Sequence, residues 1–173
     1  MPANIEIKAR ARDWAGLLGT AEALGVACTV LLQEDVFFHV PRGRLKLRKL
    51  NDGSGQLIHY ERPDGPGAKR SDYVVFPTAD PTMLERVLAM GLSVRGIVRK
   101  RRRVYIVDNT RIHLDEVEGL GQFVEVEVML QEGEAEAAGH ARLDQWMARL
   151  GIDQRDLHDA AYVDLILKCG DPA

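Results

Sequence analysis

The sequence predicts an α+β domain of about eight antiparallel β-strands, with amphipathic helices on the apolar face of the sheet and a helical C-terminal segment. Three observations carry this prediction. Polar and apolar residues alternate with period two through most of the chain up to Met129, the signature of strands with two unlike faces. Short turn sequences join the alternating runs, and hairpin-length connections make sequential strands antiparallel neighbours. Between and after the runs, the apolar spacing switches to that of a helix in three places.

The first strand is Asn4-Ile5-Glu6-Ile7-Lys8-Ala9-Arg10, which alternates without a break. Trp14, Leu17, Leu18, Ala21 and Leu24 then follow helical spacing, and Gly25 stands where that helix stops. Thr29 to Val40 reads as a strand, the turn Pro41-Arg42-Gly43 leads to Arg44–Arg48, and Asn51-Asp52-Gly53-Ser54-Gly55 leads to Gln56–Arg62. A turn at Pro63-Asp64-Gly65-Pro66-Gly67 precedes the strand Ser71–Phe76. Asp80-Pro81 reads as an N-cap with proline in the first helical position, followed by an apolar stripe of Leu84, Val87 and Leu88. Gly96–Val107 and Arg111–Val117 flank the turn Asp108-Asn109, and Gly119-Leu120-Gly121 turns into Phe123–Val128. Leu143, Trp146, Met147 and Leu150 form one helical stripe in the tail, and Leu157, Ala161, Tyr162, Leu165 and Ile166 another, with Gly151-Ile152-Asp153 between them. No repeat or linker divides the chain. One domain over 1–173 is expected, with the sheet and two inserted helices in 1–131 and the C-terminal helices in 132–173.

Composition removes several function classes. Hydrophobic residues at 46% and charged residues at 28% are ordinary for a globular chain and exclude disorder. Lys and Arg number 23 against 26 Asp and Glu, so a net charge of -3 argues against a nucleic-acid or anionic-membrane binder. No apolar run approaches a membrane span, and Met1-Pro2-Ala3-Asn4 leads directly into a charged strand, without a secretory signal. Cys28 and Cys169 are far apart, which fits reduced thiols in a cytoplasmic protein better than a disulfide or zinc framework.

The polar strand faces are unusual because they consist of full charges whose signs segregate by strand. Glu125 and Glu127 share a face; so do Arg44, Lys46 and Arg48; so do Lys100 and Arg102; and so do Arg111, His113 and Asp115, while Glu6 stands beside Lys8. Either these faces are solvated and protect sheet edges, or the sheet closes into a barrel with the charges inside and the helices outside. Amphipathic helices need apolar sheet surface, and Ile5, Ile7, Leu45, Leu47, Val124, Val126 and Val128 supply it, which favours the inward arrangement. So charged an interior cannot be a dry core, because each unpaired buried ion costs several kcal/mol. Basic strands suit a polyanion and clustered carboxylates suit a hard divalent cation. Together they point to metal-dependent chemistry on a di- or triphosphate.

These motifs resemble the CYTH superfamily of triphosphate tunnel metalloenzymes, which includes class IV adenylyl cyclases, thiamine triphosphatases and inorganic triphosphatases. The resemblance is carried in order by Asn4-Ile5-Glu6-Ile7-Lys8, Gln33-Glu34-Asp35-Val36-Phe37-Phe38, Gly43–Arg48, Tyr60-Glu61-Arg62, Val98–Arg102, Arg111–Asp115 and Gly119–Glu127. It implies a closed eight-stranded antiparallel barrel, the triphosphate tunnel. It also implies Mg²⁺ or Mn²⁺ held by Glu6, Asp115, Glu125 and Glu127, and phosphates bound by Lys8, Lys46, Arg48, Arg62, Lys100, Arg102 and Arg111. Glu6, Lys8, Lys100, Asp115, Glu125 and Glu127 would carry catalysis, and Asp35 would orient a neighbouring base. Asn4 departs from the family, which has a first Glu there, and brings no charge to the metal site.

The resemblance implies a nucleoside triphosphate or another triphosphate as partner, and leaves a homodimer open. A class IV adenylyl cyclase-like activity leads, with triphosphatase as the alternative and a non-catalytic polyphosphate-binding module as a second. His113 is expected to have a structural or substrate-contacting role rather than to bind metal, and Ser71 and Tyr73 are weak candidates for the non-phosphate end of the substrate. Alternation divides the basic run Arg99–Arg103, sending Lys100 and Arg102 to one face and the other three to the opposite one.

Overall fold

Eight antiparallel strands close into a barrel in the computed structural model of the chain, which describes residues 3–62 and 67–170. They are β1 (Ala3–Arg10), β2 (Cys28–Phe38), β3 (Arg44–Leu50), β4 (Gly55–Glu61), β5 (Lys69–Thr78), β6 (Val94–Val107), β7 (Thr110–Val117) and β8 (Gly121–Met129). Around the barrel the order is β1-β5-β4-β3-β2-β6-β7-β8. Short turns account for the pairings among β2, β3, β4 and β5 and among β6, β7 and β8. No local signal announces β2–β6, β1–β5 or β1–β8, which close the ring. Closure removes the sheet edges, so the charged faces do not serve as edge protection. They face the lumen.

The first three helices lie outside, where the apolar strand faces point, and the last packs against residues of the inward parity, with Tyr162 lining the lumen. They are α1 (Trp14–Glu22), α2 (Pro81–Gly91), α3 (Glu136–Leu150) and α4 (Tyr162–Gly170), with a short 3₁₀ turn at Gln154–Asp156. α1 and α3 cover Ile5, Ile7, Ile112, Leu114, Val124, Val126 and Val128 on β1, β7 and β8. α2 packs over Val36, Phe38 and Leu47 on β2 and β3 through Leu84 and Leu88. α4 packs over Val98, Phe37 and Phe123. Local chemistry starts two of these helices: the Asp13 carboxylate accepts from the Gly16 amide of α1, and the Asp80 carboxylate accepts from the Met83 amide of α2 beside Pro81. Gly151, in left-handed conformation at φ 66°, ends α3. No described helix is long and apolar enough to cross a membrane.

Several boundaries shift by one or a few residues, and two of the differences bear on the site. Leu157 is not helical but bridges Ala9 of β1, while the His158 amide donates to the Lys8 carbonyl at 2.8 Å. That pairing holds the tail extended until α4 begins at Tyr162. β5 begins at Lys69 rather than Ser71, which adds one more inward-facing position. The turn expected at Pro63-Asp64-Gly65-Pro66-Gly67 lies outside the described residues except for Gly67. Cys28 and Cys169 are free and exposed.

Candidate functional site

The lumen is a cavity of about 440 Å³, lined by inward positions of all eight strands and by Ala161 and Tyr162 from the tail. Seven cations point into it: Lys8, Lys46, Arg48, Arg62, Lys100, Arg102 and Arg111. Four carboxylates line it with them, those of Glu6, Asp35, Glu125 and Glu127, and Arg102 is paired besides with the buried Asp115. Within a chain of net charge -3, the lumen is therefore a basic compartment. The register explains the convergence, because strict alternation sends every second residue inward and the pairing sets charges side by side. Glu6 lies opposite Glu127, Lys8 and His113 opposite Glu125, Asp35 opposite Arg48, and Arg102 opposite Asp115.

Asp35 organises the basic side. Its carboxylate, 1% exposed, accepts from Arg48 Nε at 2.7 Å, Lys100 Nζ at 3.0 Å and Lys46 Nζ at 3.2 Å. Burial alone would raise this carboxyl, but Arg48, Lys100 and Lys46 hold it well below the usual range. The cations feel the opposite pressure. Burial, reinforced by the Arg48 charge, lowers the Lys46 ammonium to about 7, and burial lowers Lys100 and Lys8. Three cations on one carboxylate leave donor capacity for an incoming anion.

The acidic side is a second cluster. Glu125 lies 3.5 Å from Lys8 Nζ and is bonded by Arg102 Nη2. Burial opposes its charge, yet Arg102 and Lys8 hold it well below the usual range. Glu6 is raised by burial and by Glu127, while Arg62 Nη1 donates to it at 2.8 Å. Glu127, His113 and Glu125 bring one donor atom each to within 4.8 Å of one another, an arrangement able to hold a metal ion.

The tail seals one stretch of the lumen. The Tyr162 hydroxyl donates to Asp115 at 2.9 Å, and its ring lies 4.0 Å below Lys8 Nζ. Backbone carbonyls of the segment before it accept from Lys8 (Ala160) and from Arg62 and Lys69 (both Asp159). Along β6 the inward residues run Lys100, Arg102, Val104, Ile106. The charged band thus gives way to an apolar stretch, which Leu31, Val75 and Tyr73 continue on neighbouring strands.

All seven expected phosphate-binding residues reach the lumen. The expected metal ligands divide. Glu125 and Glu127 converge with His113, whereas Glu6 turns to Arg62. Asp115 is fully buried and does not line the cavity. Arg102 bonds both of its oxygens, from Nε at 2.7 Å and through Nη2, and Tyr162 takes one as well, so no oxygen faces the lumen for an ion. Arg102 Nη2 bonds Glu125 as well, so Asp115 stands next to that carboxylate with its own oxygens taken by Arg102 and Tyr162. Arg99 and Arg103 point outward to Glu34 and Glu116, as alternation requires. Sequence reasoning passed over Tyr162, which reads as one more apolar position of a helix, and Lys69, which shares the inward parity of Ser71 and Tyr73. The carboxylates near His113 are set by the β7–β8 register, which no local pattern in the sequence shows.

The family model for the CYTH domain matches residues 2–162. The chain belongs to the CYTH domain family. Among solved structures, this CYTH chain is similar to the PH1012 protein of Pyrococcus horikoshii OT3, with 28% identity, 94% of this chain and 98% of that chain covered, and a TM-score of 0.84. It shares its fold with a candidate adenylate cyclase of Vibrio parahaemolyticus, at 21% identity, 95% and 97% coverage and a TM-score of 0.76. The same fold occurs in a Hippeastrum protein first taken for an adenylyl cyclase, whose dominant activity is that of a triphosphatase, at 19% identity, 100% and 98% coverage and a TM-score of 0.69. No curated protein sequence matches the chain significantly. The barrel is thus the triphosphate tunnel of the CYTH family.

Proposed function

We propose that this CYTH protein is a divalent-metal-dependent enzyme that binds a nucleoside triphosphate in the tunnel and cleaves it, with ATP converted to cyclic AMP and pyrophosphate as the leading reaction. The observation that supports this reading is the charge balance of the lumen. A triphosphate carries roughly four negative charges near neutral pH, and about two remain once one dication is bound. The lumen offers seven cations against four carboxylates, an excess that suits the metal complex of a triphosphate. Its volume falls in the usual range for small-molecule sites, and the apolar stretch beyond the charged band suits an organic group attached to the phosphate chain.

The residues present fit a metal ion. Glu125 and Glu127 converge, and two buried donors near the acidic side, Asn4 Oδ1 and His113 Nδ1, have no hydrogen-bond partner among the described residues. Glu125, Glu127 and His113 would hold the ion, which supplies charge neutralisation at the reacting phosphate. Lys46, Arg48 and Lys100 bind and align phosphate oxygens, Arg102 fixes another from a position braced by Asp115, and Lys8 bridges the two clusters. In the cyclase reaction the ribose 3′-hydroxyl oxygen bonds to the α-phosphorus. The bond from that phosphorus to the bridging oxygen breaks, and pyrophosphate leaves. Glu6, whose carboxyl is raised by burial and by Glu127, would take the hydroxyl proton.

A triphosphatase reaction uses the same cage with water attacking the terminal phosphorus. The density of cations favours it, since a chain of phosphates alone can satisfy them. Incubation with ATP or tripolyphosphate and Mg²⁺ or Mn²⁺, with cyclic AMP, pyrophosphate and orthophosphate resolved, distinguishes the two. Tight binding with no product under either metal would leave a binding module and overturn both enzyme readings.

A further inference from the structure

His113 differs from an ordinary core histidine. It points into the lumen from β7, is 5% exposed, and its Nδ1 has no hydrogen-bond partner among the described residues. Nδ1 stands 3.8 Å from Glu125 Oε2 and 3.6 Å from Glu127 Oε1. Both distances are too long for hydrogen bonds. They are close to the spacing of two ligands on one ion, since bonds of about 2.1 Å place adjacent donors roughly 3.0–3.4 Å apart. The register is responsible: His113 lies opposite Glu125, and Glu127 is the next inward residue of β8.

From this geometry we infer that His113 ligates the divalent cation through Nδ1, beside Glu125 and Glu127, and that this nitrogen makes the site select Mn²⁺ or another first-row transition dication over Mg²⁺. The inference rests on the metal-dependent reading above and deepens it. Mg²⁺ favours oxygen ligands in near-ideal octahedra and keeps much of its water. An imidazole donor shifts preference toward the transition series. The other unpartnered donor on the acidic side, Asn4 Oδ1, is neutral. His113 is the donor that completes the three-residue set with Glu125 and Glu127, whose ligand atoms lie within 4.8 Å of one another.

The test uses the full-length protein and Mn²⁺ alone, so it does not depend on turnover. Pulsed electron paramagnetic resonance of Mn²⁺ bound to the wild-type chain should show modulation from one directly coordinated ¹⁴N, replaced by a ¹⁵N pattern when histidine is isotopically labelled. His113→Gln should abolish the modulation, weaken Mn²⁺ binding at least about tenfold, and change Mg²⁺ binding less. Should His113→Gln fail to fold, a chain with the other four histidines (His39, His59, His140 and His158) replaced by glutamine should keep the nitrogen signal. Stoichiometric Mn²⁺ that is lost in Glu127→Gln but shows no nitrogen coupling would refute the His113 ligand and leave the metal reading standing. Absence of any bound Mn²⁺ in the wild type would overturn both.

Discussion

Asp35→Asn gives the sharpest test of the tunnel's electrostatics, because one buried carboxylate holds Arg48, Lys100 and Lys46 together. The substitution keeps side-chain volume and removes only the charge, leaving three cations facing one another. Breaking a buried ion pair by deleting one partner costs about 3–5 kcal/mol. For a domain of this length that lowers Tm by roughly 6–20 °C. The loss must also depend on pH. Lys46 already sits at about 7, and without Asp35 it and Lys100 fall further, so the folded wild type binds more protons than the folded variant near neutrality. By linkage the advantage of the wild type shrinks as pH rises and the lysines discharge. The Tm difference should therefore be larger at pH 6 than at pH 8.5. Tripolyphosphate supplies the missing anion, so its stabilising shift should be greater in Asp35→Asn than in the wild type. Differential scanning calorimetry at both pH values, with and without tripolyphosphate, measures all three quantities. A variant as stable as wild type at pH 6, or one that gains less from tripolyphosphate, would refute the view that Asp35 holds cations in readiness for phosphate.

Three further outcomes follow from other parts of the site. Burial lowers Lys46 to about 7 and lowers Lys8 and Lys100 as well, and a bound triphosphate favours their charged forms, so titration calorimetry at pH 8 in buffers of different ionisation enthalpy should show proton uptake; Lys46→Met should reduce it. Tyr162→Phe removes the hydroxyl that donates to Asp115 at 2.9 Å and should cost about 1–3 kcal/mol in chemical denaturation, with Mn²⁺ affinity unchanged because Tyr162 is not among the converging donors His113, Glu125 and Glu127. Gly43 has φ 66°, and a Cβ there would meet the Tyr60 carbonyl oxygen at 2.7 Å, so Gly43→Ala should destabilise by more than about 1 kcal/mol. An unchanged denaturation midpoint in Gly43→Ala would show that the β3 hairpin tolerates another backbone conformation.

What the sequence reveals follows the range of the forces involved. Strand alternation, turns and helix caps are local, so the eight strands, the Asp80-Pro81 start and the Gly151 stop are legible without a structure, while α1 ends at Glu22, short of Gly25. The inward direction of Lys46, Arg48, Lys100 and Arg102 is legible too, because alternation and the helices' need for apolar sheet leave the charges one place to go. Orientation within the lumen is not. Asp115 and Glu127 both read as inward carboxylates near the same strand pair. Only the β6–β7 register sets Asp115 opposite Arg102, and only the tail's return along β1 brings Tyr162 to it. Those contacts span 47 residues or more of chain for Tyr162, beyond the reach of any local pattern.

The placement of charge also bears on what can enter. The whole chain is acidic, at -3, while its lumen holds seven cations against four carboxylates, so the exterior is more acidic than the total. An extended polyanion such as a nucleic acid meets that exterior along its whole length and gains nothing from cations it cannot reach. A short polyphosphate can lie entirely inside, where low dielectric and fixed cations strengthen each contact. Cations on the outside would widen the range of anions captured. Segregating them inside would make length itself a criterion of selection, with Tyr162 of the tail at one stretch of the lumen and the apolar Val104 and Ile106 at another. On the proposed function, selection of short phosphate chains would follow from the barrel's alternation and closure, before any side chain recognises the rest of the substrate.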